Sequence, residues 1–534
     1  MSNSIQYWIQ LIRDLLSLDQ SSMRFKKYLS QRGQIETNES DALTLIEFEQ
    51  SPENVLGLSI FLPTLLESMP SKPIAYHLAK YNKLRKCLKS LQFRFSTTFK
   101  LIGPSLILGD LTNTGTDESS HHEWQTIQTP EDLETFEYAG IRIGDLIYDE
   151  YLAKSNMHTV TLSDPQLREI FFNAISTLQW WVDLSNTKTI SAIIVSHDVY
   201  LYGIPARLGI ARDIPVFLVS TSEIIRLNKL YPRVGSDIPR YPELFLEQDA
   251  DIKSKGLIGA KRNMQNRIHG VGPSDLYYFP LVAFSEVHSQ THYLKINGRR
   301  RILIAAHDFY DSPHGGQIHF YPDFFLWLCA LSEISHSLDY DWYIKTHPYL
   351  RGRGREILTS FVSNNSNFQL LPSEVSHNQI VSEGVDLVLT VYGTIATEYP
   401  LFGIQVMNAS SCNPHAAYDF SFTPSSREEY EFYLKNLDLI PPIKNQDQIY
   451  EYYFMRHLLP LRNWLFPDDE RYKKETGFGL NPMTRKIYDY YLFTENKTPL
   501  SKIQSAMKNF LRSDAYQLGR SHFETEIETS SDSV

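Results

Sequence analysis

The chain has 534 residues, 42% of them apolar and 21% charged, an ordinary globular balance that excludes a disordered chain. At about 100–200 residues per domain it also excludes a single small module. Its 51 lysines and arginines face 62 aspartates and glutamates, a net charge of −11, which excludes nucleic-acid binding through a bulk basic surface but leaves room for one local phosphate pocket. Aromatic residues make up 13%, with 32 tyrosines against 29 phenylalanines and 7 tryptophans. Cys87, Cys329 and Cys412 lie far apart and form neither a metal clip nor a disulfide framework, which points to a reducing compartment.

Residues 1–70 read as a helical segment broken at QRGQIETNES. Within it Trp8, Ile9, Leu11, Ile12, Leu15 and Leu16 recur at helical spacing, as in a helix that docks on its own protein. The same opening lacks the basic and apolar regions of a secretory signal, and no window approaches the ~18 apolar residues of a membrane span, so a cytoplasmic chain is expected.

From residue 71 short apolar runs alternate with helical patterns, the sequence form of βαβ units. KPIAYHLA, TTFKLIGPSLILG, ISAIIVSHD and RDIPVFLVS read as strands, and residues 164–183 as a long amphipathic helix. Prolines and charges over 232–300 place a boundary near residue 295. A second series then runs through RRILIAAHD, DFFLWLCALSEISHSL, DWYIKTHP, NFQLLP, SHNQIVSEG, DLVLTVYG, TIATEYPLFG and IQVMNAS. The prediction is an α/β protein with two facing, doubly wound Rossmann-like domains over 71–295 and 296–455, with extra helices at both ends. Those at the C-terminus span 456–515, and 516–534 reads as a flexible tail. Ligands of such sheets bind at the carboxyl ends of the strands.

Three runs at those ends carry the chemistry. In GTIATEYPLFG, Gly393 and Thr394 sit where strand becomes helix, offering N–H groups and a hydroxyl to a phosphate, and Glu398 follows one turn later on the same face, able to accept from ribose hydroxyls. In IKTHPYLRGRGR, Lys345 and His347 lead a basic cluster completed by Arg351, Arg353 and Arg355, suited to a leaving phosphate. AAHDFYDSPHGG brings His307, Asp308, Asp311 and His314 to the end of a strand. These four can be read as metal ligands or, more blandly, as a hydrogen-bonded loop that shapes a pocket. A strand-to-helix turn with a capping threonine is the bland reading of the first run, and a solvated loop that of the arginines.

Glycine, threonine, glutamate and glycine at 393, 394, 398 and 403 resemble the nucleotide-sugar signature of GT-B-fold glycosyltransferases, with Gln405 where that family often has proline. His347-Pro348 resembles the His-Pro motif of bacterial sialyltransferases and capsule-type transferases, and RILIAAHDFYDSPH with YPDFFLWL also looks like the surface-carbohydrate group. SHDVYLYGIPARLGIARDIPV and GIRIGDLIYDEYL resemble the acceptor-side domain of the same enzymes. The likeness covers residues 140–440 and is to the GT-B enzymes of bacterial capsule and O-antigen biosynthesis.

The resemblance implies transfer of a sugar from a nucleotide-activated donor, CMP-linked as for Kdo or sialic acid, to a surface polysaccharide or glycolipid at the inner face of the membrane. It implies no metal and no cofactor beyond the nucleotide-sugar co-substrate. Lys345, His347, Pro348, Gly393, Thr394, Thr397 and Glu398, with the loop residues His307, Asp308, Asp311 and His314, would bind the donor. The acceptor hydroxyl needs a base, for which Asp198, Asp145, His197 and Asp149 are the candidates in that order. A capping or loop role explains any of the four equally well. Tyr148, Tyr151, Tyr200, Tyr202, Tyr310 and Tyr392 fall in predicted cleft loops. The alternatives are a CDP-glycerol type polyol-phosphate transferase, a metal-dependent hydrolase built on the His307–His314 loop, and a non-catalytic sugar-binding protein.

Overall fold

A computed structural model describes residues 19–33, 40–48, 51–111, 118–271, 283–284, 291–315, 319–347, 350, 352–466, 485–494 and 498–524. The expected helix around Trp8 and most of the C-terminal tail lie outside them. Two Rossmann-like α/β domains make up the rest.

In the first domain six strands, β1 (Leu43–Glu47), β2 (Lys72–Ala79), β3 (Leu106–Asp110), β6 (Ile190–Val195), β7 (Val216–Val219) and β8 (Ile224–Leu227), line up in the order β3-β2-β1-β6-β7-β8. All pairs are parallel except β7 with β8. A separate antiparallel hairpin joins β4 (Glu137–Tyr138) to β5 (Ile141–Arg142).

The second domain is a parallel sheet of β9 (Arg300–Ala305), β10 (Tyr340–Lys345), β11 (Phe368–Leu370), β12 (Leu387–Thr390) and β13 (Gln405–Asn408), ordered β11-β10-β9-β12-β13. In both sheets the strand order reverses beside the first strand, between β1 and β6 and between β9 and β12. Such reversals open a crevice at the carboxyl ends, where helices depart on opposite faces.

The N-terminal 70 residues are not a purely helical segment. LTLIE is β1, the middle of the first sheet, with its side chains shared between two cores: Ile46 faces one, Leu43 and Leu45 the other. A five-residue run buried on both faces has neither the alternation of a half-buried strand nor the length that separates strand from helix. The first domain therefore begins well before residue 71. At its other end, Leu294 packs with Leu303 and Tyr343, so the second domain starts slightly before residue 296. TTFKLI is also corrected: Ser96 caps a short helix, Thr97–Ile102, by accepting from Phe99 N–H, and Gly103 ends it, leaving only LILGD as strand.

Both chain ends complete the first domain. The helices Lys486–Phe493 and Leu500–Arg512 pack on Gln20–Arg32 and Pro52–Ser68, and Trp464, Tyr488, Met507 and Phe510 share one core with Phe25, Leu56 and Phe61. Arg226 of β8 donates to the carbonyls of Phe510 and Leu511 at 2.9 and 3.2 Å. Residues 516–518 are not tail: Gln517 bridges Ile225, and Leu518 N–H donates to Ile224, which covers the outer edge of β8.

Phe510 is fully buried and lies under the Arg226 guanidinium, 4.8 Å from ring centroid to Cζ. Phe510→Ala is expected to cost about 3–5 kcal/mol, as large-to-small changes of a buried phenylalanine do. Urea unfolding checks it; a loss below about 1 kcal/mol would separate the C-terminal helices from the first domain's core.

Candidate functional site

The two crevices are crowned by loops that meet. After β6 the chain turns at Asp198, Tyr200 adopts a left-handed backbone (φ 54°), and Gly203 passes so close that a Cβ there would lie 2.4 Å from the Asp198 carbonyl oxygen. Tyr200 stands near enough to Tyr392, after β12, to help hold its phenol well above the ordinary range; burial is the largest cause, followed by Asp311 and Asp149. The loops at the carboxyl ends of β6 and β12 thus lie within electrostatic reach of each other.

In the second domain His307, at the end of β9, bridges to β12. Its Nε2 accepts from Val391 N–H at 3.2 Å and lies 3.0 Å from Thr390 Oγ1, and the ring stacks on Phe324 at 4.4 Å. An Nε2 that accepts a backbone N–H carries no proton there. Burial, followed by His347 and His319, agrees, pushing His307 down to about 3. His347, from the neighbouring β10, therefore stands beside a neutral histidine. Thr390 Oγ1 also accepts from Gly393 N–H at 3.1 Å; a Cβ on Gly393 would sit 2.7 Å from that oxygen, which is why the turn needs glycine. Thr394 follows, exposed, ahead of the single turn Ile395–Glu398. Thr397 turns its hydroxyl back to the Thr394 carbonyl at 2.8 Å.

Several expected donor contacts are placed elsewhere. Lys345 is buried and gives its ammonium to the carbonyls of Pro372 and Ser373 at 3.1 and 2.8 Å; desolvation pushes it down to about 8. It ties β10 to the end of β11. Glu398 is buried and ion-paired with Arg267, from the helix Ala250–Ile268. Arg353 pairs with Glu356 at 2.9 Å, and both line a groove of about 430 Å³ with His158, Phe325 and Cys329. Pro348 and Arg351 lie outside the described residues.

The loop after β9 does not gather into one ligand set. His307 bonds across the sheet, Asp308 is buried and accepts from Tyr310 N–H, Asp311 is exposed, and His314 reaches into the first domain. Among the described residues no group of three histidine, cysteine or acidic side chains could hold a metal ion.

That last contact joins the domains. His314 Nδ1 lies 2.6 Å from Asp149 Oδ1, and its Nε2 3.4 Å from Glu134 Oε1, all three buried. Beside it Tyr148 O–H donates to Asp323 Oδ2 at 2.5 Å, as does Thr159 O–H at 2.7 Å, while Asp323 Oδ1 caps the helix Phe324–Ser335 through the Phe325 and Leu326 amides. Burial alone would depress His314, but Asp149, then Glu134 and Asp145, raise it to about 9. Glu134 is pushed up to about 7 by burial, opposed by His314 and Arg142.

Two of the four expected bases are thereby spent. Asp149 is locked to His314. Asp145 is buried and takes a bidentate fork from Arg207 at 2.7 and 2.6 Å; desolvation raises its pKa, but Arg207, Arg142 and His314 together bring it below the ordinary value. His197 keeps an exposed edge, with Nδ1 2.9 Å from Ser196 Oγ; the protein packed around the rest of the ring, opposed by Asp198, lowers its pKa, so the neutral form predominates at pH 7. Asp198 Oδ2 accepts from Val234 N–H at 2.6 Å, and burial raises its pKa against that bond. Among the tyrosines Tyr148, Tyr151 and Tyr310 are buried rather than cleft-facing, and Tyr202 is 55% exposed. The Asp149–His314 contact was not foreseen; HGG after an aspartate-rich loop gives no sign of which domain the histidine enters.

No protein-family model matches the chain, and no curated protein sequence matches it. Among solved structures it is similar to the Thermosulfurimonas dismutans KpsC β Kdo 2,4 transferase (12% identity, 51% of this chain and 85% of that one, TM-score 0.31). It is also similar to the KpsC β Kdo 2,7 transferase of the same organism (11%, 62% and 90%, TM-score 0.32). A third is the Neisseria meningitidis UDP-GlcNAc 2-epimerase bound to UDP-GlcNAc (12%, 84% and 99%, TM-score 0.24). No helix among the described residues is long and apolar enough to cross a membrane.

The raised His314 binds its proton more tightly in the folded chain than in the unfolded one. Its contribution is complete below about pH 6.5 and is lost as pH rises through about 9. Glu134, also raised, adds a loss of the same sign between about 4.5 and 7. Melting temperature is expected to fall between pH 6.5 and 9, and His314→Gln to be less stable at pH 6.5 with a flatter profile. An unchanged slope in the variant would remove the protonated latch.

Proposed function

We propose that the protein is a glycosyltransferase that moves a sugar from a nucleotide-activated donor to a surface polysaccharide or glycolipid acceptor. The observation that supports it most is the meeting of the two switch-point crevices, β6 with Tyr200 on one side and β12 with Tyr392 on the other, over a donor side carrying His347, Gly393 and Thr394. A bisubstrate transfer needs two such walls. The His347-Pro348 pair and the resemblance it carries favour a CMP-linked donor.

The donor phosphate would lie against His347 and the Gly393-Thr394 turn. His307, neutral and fixed across the sheet, shapes that pocket, and Glu398 acts through Arg267 by holding the helix Ala250–Ile268 on the donor domain. His197 is assigned as the base: it is exposed, neutral at pH 7, and anchored through Nδ1, which leaves Nε2 for substrate. The acceptor hydroxyl oxygen forms the new bond to the anomeric carbon and its proton passes to His197 Nε2. The bond from that carbon to the nucleotide phosphate breaks, its electron pair leaving with the phosphate. Asp198 steadies the His197 loop through Val234.

His197→Ala is expected to lower kcat by about 10²–10⁴-fold with nucleotide binding unchanged. His347→Ala should instead weaken nucleotide binding, read as a smaller rise in melting temperature on adding CMP, CDP or UDP. Turnover of CDP-glycerol but of no CMP- or UDP-sugar would replace this function with polyol-phosphate transfer. Nucleotide binding equal in parent and His347→Ala would displace the donor site.

A further inference from the structure

Beside the proposed base, a second chemistry is built into the first domain. A cavity of about 300 Å³ lies between the β4–β5 hairpin, the helix Ile204–Ala211 and the segment after β8, and four of its lining residues are cations: Arg142, Arg207, Lys229 and Arg233. Asp198 is the carboxylate among them, and Ile141 and Ile210 give part of the wall an apolar character. In a chain with a net charge of −11 such a concentration is unusual.

The partners of these cations stand mostly outside the cavity lining. Arg207 forks onto Asp145 at 2.7 and 2.6 Å, and Arg142 Nε lies 3.6 Å from the same carboxylate. Lys229 pairs with Asp213 at 2.6 Å on the surface, and Arg233 stands near Asp198. Along the lining itself four cations thus face one carboxylate, Asp198; Asp145 and Asp213 lie outside that lining, as does Glu134, which also acts on Arg142. Asp145 serves two arginines, Arg142 Nε also donates to the Glu134 carbonyl at 3.3 Å, and Arg142 Nη2 is a buried nitrogen with no hydrogen-bond partner among the described residues. Burial lowers the pKa of Arg233, so the surroundings favour an added negative charge there.

The cavity is also in the right place. Asp198 adjoins His197 at the carboxyl end of β6, and Arg233 is close enough to the second domain to interact electrostatically with Cys412 and His319. We infer that this cavity holds a single anionic group of the acceptor, the carboxylate of an acidic sugar or a phosphodiester, beside the hydroxyl that His197 deprotonates. Cations outnumber carboxylates along the lining, which suits an anion, and the fork of a guanidinium suits either group. Calling the occupant an acceptor rests on the transferase function proposed above, but the anion site itself does not.

The test uses the full chain and four probes: glucuronic acid, its methyl ester, glycerophosphoglycerol and glucose, followed by ligand-observed NMR. Glucuronate, glycerophosphoglycerol or both are expected to bind, and the ester and glucose not, with binding weakened at high salt. The probe that binds identifies the anion's source. Arg233→Gln and Lys229→Gln are each expected to weaken the bound probe, Arg233→Gln by at least about tenfold. Arg142→Gln, which disturbs Asp145, is scored only if its melting temperature stays near the parent's. The rise in melting temperature on adding nucleotide reports the donor site in the same variants and is expected to be unchanged. If neither anion binds the parent, or if both bind Arg233→Gln as well as the parent, the inference is overturned. Anion binding lost in Arg233→Gln, in a chain that turns over no nucleotide sugar, would keep the site and remove the transferase function. Turnover of nucleotide sugars onto neutral acceptors with no anion binding would do the reverse.

Discussion

A histidine of one domain buried against carboxylates of the other sets the geometry on which everything else depends. His314 comes from the loop after β9, and Asp149 and Glu134 from the first domain, so the contact fixes one crevice relative to the other. It is not a surface ion pair of small worth. With all three groups out of water, removing His314 would leave two carboxylates without their cation in a low-dielectric interior. The neighbouring Tyr148–Asp323 bond adds direction, because Asp323 is at once the cap of a helix and the acceptor of a phenol from across the interface. Two domains with Rossmann-like sheets usually move; here a small polar cluster sets the distance over which a sugar would pass.

The same cluster explains where the sequence was legible and where it was not. Strands such as RRILIA and DLVLT, and the helix after Asp323, announce themselves by uninterrupted apolar runs and a capping aspartate, and their order reproduces the second sheet. LTLIE did not, because five apolar-rich residues between polar stretches carry no period. The side chains of the site were harder still. Asp145 and Asp149 stand four residues apart on one helix, the pattern of a paired-carboxylate site, yet each is claimed by a partner more than sixty positions away in sequence, Arg207 and His314. Lys345 sits at a strand's carboxyl end, as a phosphate ligand would, but its ammonium is closer to two carbonyls than to the crevice. Local sequence places a residue at an end of a sheet; the long-range partner decides whether it is free to act.

The acidic total likewise hides a local arrangement. Cations gather in two places, one in each domain: the turns after β10, and the cavity beside β6. His307 and His197, at the carboxyl ends of β9 and β6, are both pushed below the ordinary histidine value. The tyrosines divide along the same line, some joining the domains or filling cores, and Tyr202 left at the surface near His197.

The first domain is discontinuous: its central strand lies near the start of the chain and its covering helices near the end, with the whole second domain between them. A ribosome therefore releases a second domain whose sheet is already contiguous while the first still lacks one wall of its core. Until the helices Lys486–Phe493 and Leu500–Arg512 emerge, Pro52–Ser68 rests mainly on β7 and Thr97–Ile102, and part of its apolar surface stays open. A chaperone that recognises exposed apolar helices would find its target there, during synthesis and not after it.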